Sequence, residues 1–378
     1  MNRATVLVLL GGLGLTTALI LVPGAAPSGP YVPQSDDDVL EQVPKSTPRP
    51  SGPLSVEEAA ARARELISEA RRSGGDPRLL GRAQATLGPW WNEPSPPPAI
   101  RLLRATLKQG FHDFEGALVD LDAQVVVAPT DAHSWLMRAT VLSVLARYPE
   151  ALASCEQMGS QVVPRSVCSA RVLGLTGQAK EAAASLAALR PAPEEASWVL
   201  SVRGELERWS GDDARAQQTL EQALSLDPTD SSSRLLLAQL FLDVGQPARA
   251  AKLFEGRTVN DGELLMWVLA LKAANAKEYD ARRAELDERV EANRQRGETL
   301  YQREESRYAL ALEGDAAKAL ELATKNWAVQ KEPADARVLL EAAVATKNAA
   351  AAAPVLQWLE ATKFSDPRLR ALAAEVSR

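Results

Sequence analysis

The chain has 378 residues, enough for two or three compact domains or for one extended array of repeats. Its 43 basic and 49 acidic residues give a formal net charge of −6, which argues against nucleic acid as a partner, because phosphate binding needs a concentrated basic face. Two cysteines and two histidines leave little for a disulfide scaffold, a metal site or acid–base catalysis. The apolar content comes mainly from alanine and leucine, which favours helix over strand. We therefore expect an all-α protein without metal or small-molecule cofactor.

The N-terminus contains an uncharged run of 19 residues, ATVLVLLGGLGLTTALILV, at positions 4–22. A helix of this length just spans a bilayer core of roughly 30 Å, so residues 1–22 are predicted to be a signal anchor. The alternative is a cleaved signal peptide, with Gly24-Ala25-Ala26 as the cleavage site. Arg3 precedes the run and acidic residues follow it at 36–38, which predicts that the remainder of the chain lies outside the cytoplasm. The expected location is the inner membrane facing the periplasm, or the periplasm itself after cleavage.

A proline-rich stretch separates this segment from the first predicted helix. Residues 23–53 contain eight prolines with glycine and serine between them, and such a stretch has no helical hydrogen bonding and little to bury, so it is predicted to be an extended linker. Ser55 and Glu58 then form an S-x-x-E capping box that starts a helix. Residues 54–97 are predicted to be an N-terminal helical cap.

Three columns of residues recur between positions 98 and 262, with spacings of 34, 31, 34 and 34. The first column is alanine: Ala117, Ala151, Ala182, Ala216 and Ala250. Twelve positions before each alanine lies a small residue: Ala105, Ala139, Ala170, Gly204 and Ala238. Four positions after each lies a larger apolar residue: Leu121, Cys155, Leu186, Leu220 and Phe254. Small side chains let helices approach closely and larger ones fill the space between hairpins, so the columns predict five stacked helix–turn–helix units.

Each unit also contains a predicted turn between its two helices: His112-Asp113, Ala146-Arg147, Gly177-Gln178, Gly211-Asp212 and Gly245-Gln246. The third unit is three residues shorter than the others, so it departs from the common spacing at its turn between repeats. Beyond position 262 the alanine register continues at Ala284, Ala319 and Ala353. The small-residue column does not continue, because its positions hold Lys272, Arg307 and Glu341. Residues 263–378 are therefore predicted to be divergent helical hairpins.

The recurring unit resembles the tetratricopeptide repeat, whose pattern is W-x2-L-G-x2-Y…A-x3-F…P. The unit AHSWLMRATVLSVLARYPEALASCEQM supplies Trp135, Ala139, Leu142, Tyr148, Ala151 and Cys155 at the positions of the pattern. The unit at 197–230 supplies Gly204, Gly211, Ala216, Leu220, Ala223 and Pro228. The resemblance, to repeat proteins of the bacterial membrane-anchored or periplasmic type, implies a TPR-like α-solenoid of stacked hairpins in a right-handed superhelix.

The resemblance also implies where a partner would bind. In such arrays the first helix of each hairpin lines the concave face, and the outward positions of these helices are Arg171, Trp198, Glu205, Arg208, Trp209 and Gln239. Tryptophan and arginine are frequent interface anchors, although packing inside the array remains an alternative for the two tryptophans. We expect a non-enzymatic scaffold or adaptor that binds another protein of the cell envelope. A self-associating structural module and an enzyme are the alternatives, and the scarcity of histidine and of clustered carboxylates argues against the enzyme.

The two cysteines fall on helices that the repeat pattern makes neighbours. Cys155 belongs to the second helix of one unit, and Cys168 to the first helix of the next. A disulfide between them is expected in an oxidising compartment. Two buried thiols that pack as small apolar groups are the alternative.

Overall fold

The computed structural model describes residues 54–72, 77–295 and 302–377. The predicted membrane segment, residues 1–22, and the predicted linker, residues 23–53, lie outside the described residues. The described part of the chain contains twenty α-helices and no strand. They are α1 (Val56–Arg72), α2 (Pro77–Thr86), α3 (Gly88–Trp91), α4 (Pro98–Gly110), α5 (Phe114–Val127), α6 (Ala132–Val144), α7 (Tyr148–Glu156), α8 (Val162–Leu173), α9 (Ala179–Ala187), α10 (Pro193–Trp209), α11 (Asp213–Leu226), α12 (Ser231–Asp243), α13 (Pro247–Lys252), α14 (Asp261–Ala273), α15 (Tyr279–Gln295), α16 (Gln302–Tyr308), α17 (Ala316–Val329), α18 (Pro333–Ala345), α19 (Ala349–Thr362) and α20 (Pro367–Val376). Among these helices, none combines the length and apolar character that a membrane crossing requires.

The helices are arranged as successive antiparallel pairs. From α4 onward each even-numbered helix packs against the odd-numbered helix that follows it, as in α4–α5 and α10–α11. From α6 onward each even-numbered helix also packs against the next even-numbered one, so the first helices of successive hairpins form one continuous layer. This is the TPR-like α-solenoid that the sequence predicts, and α1 begins with the predicted capping box, in which the Glu58 carboxylate accepts from the Ser55 amide at 2.9 Å.

The three sequence columns form the packing layer between the helices. All the residues of the three columns are buried. Gly204 shows why a small residue is needed, since a Cβ on it would lie 2.6 Å from Cγ of Leu220 on α11. The close approach of α10 and α11 therefore depends on glycine at this position.

Each predicted turn reverses the chain through one residue in the left-handed region. The φ angles are 59° at His112, 59° at Ala146, 88° at Gly177, 83° at Gly211 and 72° at Gly245. After residue 262 the turns also contain one residue with a positive φ angle, at Asn275, Gly314 and Lys347. The C-terminal helices are thus hairpins with the same kind of turn, although the alanine register is only partly kept there, because Ala319 is buried while Ala284 is exposed.

The short third unit reflects a shorter helix before it. α7 has nine residues, whereas α5 and α11 have fourteen each. A disulfide joins Cys155 near the end of α7 to Cys168 on α8, with the Cα atoms 5.6 Å apart.

The C-terminal helices also pack against the middle of the chain. One buried apolar cluster contains residues of α4 to α10 together with residues of α17 to α20. Within it, Trp358 Nε1 donates to Tyr148 Oη at 2.8 Å, and burial raises the pKa of Tyr148 to about 12. Phe364, which is fully buried, lies against Trp209 with the ring centroids 5.2 Å apart. We call α18, α19, α20 and their connections, residues 333–376, the closing helices.

Candidate functional site

Two adjoining concavities are lined by the first helices of the hairpins. The first, called here the groove, has a volume of about 470 Å³ and is lined by residues of α4, α6, α8, α10 and α12, with Glu332 at one side. The second, called the inner cavity, has a volume of about 230 Å³ and lies between α8, α10, α12 and α14 on one side and α16, α18 and α20 on the other. Arg171, Glu205, Leu236 and Glu332 line both concavities.

The groove has apolar walls with scattered hydroxyl groups. Leu136 of α6, Trp198 and Val202 of α10 and Leu236 of α12 line it, and all four are half-buried. Thr140 is a polar residue of the same wall. Of the six predicted partner-binding residues, only Trp198 lines the groove without also lining the inner cavity.

The other five predicted partner-binding residues meet at the inner cavity. Arg171, Glu205, Arg208, Trp209 and Gln239 all line it. The repeat register places them in three successive repeats, and the structure brings them to one wall because α8, α10 and α12 are adjacent. The opposite wall carries residues that the sequence analysis did not select: Arg303, Arg307, Arg337 and Arg368.

An ion-pair bridge connects the repeats to the closing helices at the border of the two concavities. Arg171 donates to Glu205 at 3.1 Å and to Glu332, the residue just before α18, at 3.0 Å. Burial by itself would lower the pKa of Arg171, but the two carboxylates reverse this and raise it. For Glu332, burial is overcome by Arg171 and Arg303, which lower the pKa. The charges of Arg171 and Glu332 are therefore kept by their partners, whereas burial outweighs Arg171 at Glu205 and raises the pKa of that carboxyl group.

A second bridge has Asp243 of α12 at its centre. Arg208 donates to Asp243 at 2.7 Å, and Arg337 of α18 donates to it at 2.9 Å. Burial opposes ionisation of Asp243, yet the two arginines lower its pKa. Burial and the nearby Arg368 lower the pKa of Arg208 to about 10. Two arginines thus share one buried carboxylate.

Arg208 and Trp209 do not face outward as the sequence analysis expected. They are 6% and 5% exposed, because the segment around α20 covers them. Ser365 Oγ donates to the Trp209 carbonyl at 3.2 Å, and Arg368 pairs with Asp213 at 2.7 Å. The physical reason is that the chain's own C-terminus occupies the concave side at this point, so a partner could reach the two side chains only through the inner cavity.

Comparisons with known proteins found one family model and several solved structures that this chain is similar to. Residues 210–261 match the family model described as tetratricopeptide repeat. A tetratricopeptide repeat protein from Parabacteroides merdae ATCC 43184 is 14% identical, with a TM-score of 0.27 and coverage of 84% of this chain and 100% of that chain. The APC/C hetero-tetramer Cut9–Hcn1 is 13% identical, with a TM-score of 0.31 and coverage of 86% and 90%. A search of curated proteins gave no match. The match to the tetratricopeptide repeat model is confined to residues 210–261, and stacked helical hairpins continue on both sides of this segment.

Proposed function

We propose that this protein is a membrane-tethered scaffold that binds a segment of another protein in the groove. Tetratricopeptide arrays serve in general as protein-interaction modules, and a solenoid presents an extended concave surface for that purpose. The observation that carries the proposal is the groove itself, where four half-buried apolar side chains remain accessible on the hairpins that begin with α6, α10 and α12. A volume of about 470 Å³ lies within the range of roughly 300–1,000 Å³ that is typical of binding pockets.

The chemistry of the groove favours a mainly apolar partner segment with one anchoring side chain. Trp198 supplies a large, rigid contact surface, which is characteristic of interface hot spots. Arg171 and Glu205 stand at the edge of the groove, already paired with each other at 3.1 Å. The partner would therefore gain most of its affinity from burying apolar area against Leu136, Trp198 and Val202, and less from charge.

The proposed location of the protein depends on its N-terminal tether, residues 4–53. Residues 4–22 would anchor the chain in the inner membrane, and the linker 23–53 would reach up to about 95 Å if it were fully extended at ~3.1 Å per residue. Restriction to the membrane surface raises the effective concentration for partners there. The disulfide between Cys155 and Cys168 supports an oxidising compartment such as the periplasm.

The self-associating alternative has less support. It requires the C-terminal hairpins to offer a free surface, whereas the closing helices bury much of their apolar surface against the chain's own repeats. Light scattering after size-exclusion chromatography would decide the matter, since a scaffold with its groove free would elute as a monomer.

Site-specific photo-crosslinking tests the proposal. A photoreactive amino acid at Trp198 in the membrane-embedded full chain should yield a discrete adduct with a partner protein. The same amino acid at Val126, which is 78% exposed on α5 and does not line the groove, is the matched control. Equal adducts at both positions, or none at Trp198, would refute docking in the groove. A C-terminal alkaline phosphatase fusion that stayed inactive would refute the periplasmic location.

A further inference from the structure

The wall of the inner cavity carries more positive than negative side chains. Six arginines line it: Arg171, Arg208, Arg303, Arg307, Arg337 and Arg368. Only four carboxylates line it: Glu205, Glu304, Glu332 and Asp366. Each of these carboxylates is already held by an arginine. Arg171 holds two of them, while Glu304 and Asp366 lie 3.0 Å and 2.9 Å from Arg303 and Arg368.

Arg307 differs from the other five arginines. Each of the others has at least one carboxylate within 3.1 Å. Among the residues that the structure describes, Arg307 has none within ion-pair distance, and its one side-chain hydrogen bond runs from Nη2 to Gln239 Oε1 at 2.6 Å. Since a guanidinium has five N–H donors, most of the hydrogen-bonding capacity of Arg307 is unused.

Gln239 cannot serve as a counterion for Arg307. Its amide oxygen accepts from Arg307, while its amide nitrogen donates to Asp243 at 2.9 Å. The Asp243 carboxylate is shared between Arg208 and Arg337. The nearest negative charge in this chain of contacts is therefore already used by two other cations.

The electrostatic setting of Arg307 favours an incoming anion. Burial lowers the pKa of Arg307 and Arg337 adds to this effect, while the carboxylates of Glu341, Glu304 and Asp243 only partly oppose it. The neighbouring wall is apolar, with Leu235, Leu265 and Met266. Apolar neighbours lower the local dielectric constant, so that a hydrogen bond between an ionised donor and an anion is stronger than at a fully exposed surface.

The size of the inner cavity limits what can enter. A volume of about 230 Å³ lies below the range of roughly 300–1,000 Å³ that is typical of binding pockets for drug-sized ligands. A folded segment of another protein does not fit into this space, because the closing helices already occupy the concave side here. Phosphate and a short dicarboxylate do fit. Their oxygens match the planar, forked geometry of the guanidinium group.

We propose that the inner cavity binds a small oxyanion, a phosphate or a short dicarboxylate, with Arg307 as its principal ligand and Arg337 as the nearest second cation. The ligand would neutralise the one arginine of the wall that lacks a carboxylate. It would also connect α16 to α18, the first of the closing helices. Arg307 and Arg337 line the inner cavity and not the groove, so the site does not need a protein partner.

Isothermal titration calorimetry on the full chain tests the proposal. Inorganic phosphate and malonate are titrated separately at constant ionic strength, with chloride as the reference anion. We expect saturable binding of one anion per chain by at least one of the two probes, and the preferred probe distinguishes a phosphate from a carboxylate ligand. Arg307→Gln should weaken that binding about tenfold or more, since a charge-assisted hydrogen bond is lost. Arg307→Lys, which keeps the charge, should bind with intermediate affinity.

Arg138→Gln is the matched control, because Arg138 lies on α6 outside the inner cavity and pairs with Asp122 at 2.7 Å. Its affinity should stay within about twofold of the original chain, as expected for a distant site. Circular dichroism establishes that each variant is folded before it is titrated. The proposal is overturned if neither probe binds saturably, if folded Arg307→Gln binds as tightly as the original chain, or if Arg138→Gln loses binding to the same extent.

Discussion

Replacing Phe364 with alanine tests the closure of the chain on itself. Phe364 is fully buried and lies between two tryptophans, with ring-centroid distances of 5.2 Å to both Trp209 and Trp358. Truncating a buried phenylalanine typically costs roughly 3–5 kcal/mol, from lost burial and from the cavity left behind. We expect the free energy of unfolding to fall by that amount, which is a large share of the roughly 5–15 kcal/mol of a typical domain.

The measurement is urea unfolding followed by tryptophan fluorescence and by far-ultraviolet circular dichroism. Coincident transitions would show that the closing helices unfold together with the repeats. A loss of less than about 1 kcal/mol, well below the cost of truncating a core phenylalanine, would refute the packing of this segment against α10.

A double-mutant cycle separates this contact from general destabilisation. Phe364→Ala combined with Trp209→Leu should show a coupling of roughly 0.5–1.5 kcal/mol, the range for aromatic pairs. Phe254→Ala is the control, because Phe254 is equally buried but belongs to a different apolar cluster, against Trp267. Its coupling with Trp209→Leu should be close to zero, since sites without shared partners act additively. Equal coupling for the two phenylalanines would contradict a direct contact.

Three further predictions concern the turn, the disulfide and a buried carboxyl group. Gly177→Ala should lower the free energy of unfolding in urea by more than about 1 kcal/mol. The backbone at residue 177 is left-handed, and the added Cβ atom would lie 2.7 Å from the carbonyl oxygen of Lys363. Reducing the Cys155–Cys168 disulfide, which closes a loop with a separation of 13 residues, should cost about 3 kcal/mol in the same assay. Burial raises the pKa of Asp335 to about 6, so the stability it contributes is present below about pH 4 and is lost as the pH rises through 6. The free energy of unfolding of Asp335→Asn should therefore improve relative to the original chain by up to about 3 kcal/mol between pH 4 and pH 8.

Each of these predictions has a control. Gly159→Ala also introduces a side chain at positive φ, but no atom lies within 4 Å of its Cβ, so it should cost less than Gly177→Ala; an equal cost would mean that the approach of Lys363 is unimportant. Reductant should leave the stability of a Cys155→Ser/Cys168→Ser variant unchanged. A difference between Asp335→Asn and the original chain that does not vary with pH would show that the carboxyl group titrates normally.

The repeating part of the fold was predictable from the sequence because its contacts are local. Ala117, Ala151 and their equivalents pack against helices that lie within about one repeat, so a fixed period in the sequence records the contact directly. The positions of the turns were equally predictable from the sequence, even at His112 and Ala146, where the residue with a left-handed backbone is not glycine. Their positions follow from the spacing between the columns.

The inner cavity was only half predictable. Arg171, Glu205, Arg208, Trp209 and Gln239 were selected because the register places them on first helices. The facing arginines were not selected, although one signal was present: Arg307 occupies a position of the small-residue column, where an arginine cannot pack between helices. The structure explains this departure, since Arg307 points to the inner cavity instead of a neighbouring helix.

The sequence by itself determined the helices, their pairing and the layer of small residues between them, because each of these depends on residues close together in the chain. Only the tertiary structure decided that the closing helices return to the middle repeats, where Trp358 meets Tyr148 across 210 residues. That contact depends on the small rotation between neighbouring hairpins, summed over several repeats. No single repeat encodes that sum, so the covering of Arg208 and Trp209 and the formation of the inner cavity could not be derived from the repeat pattern.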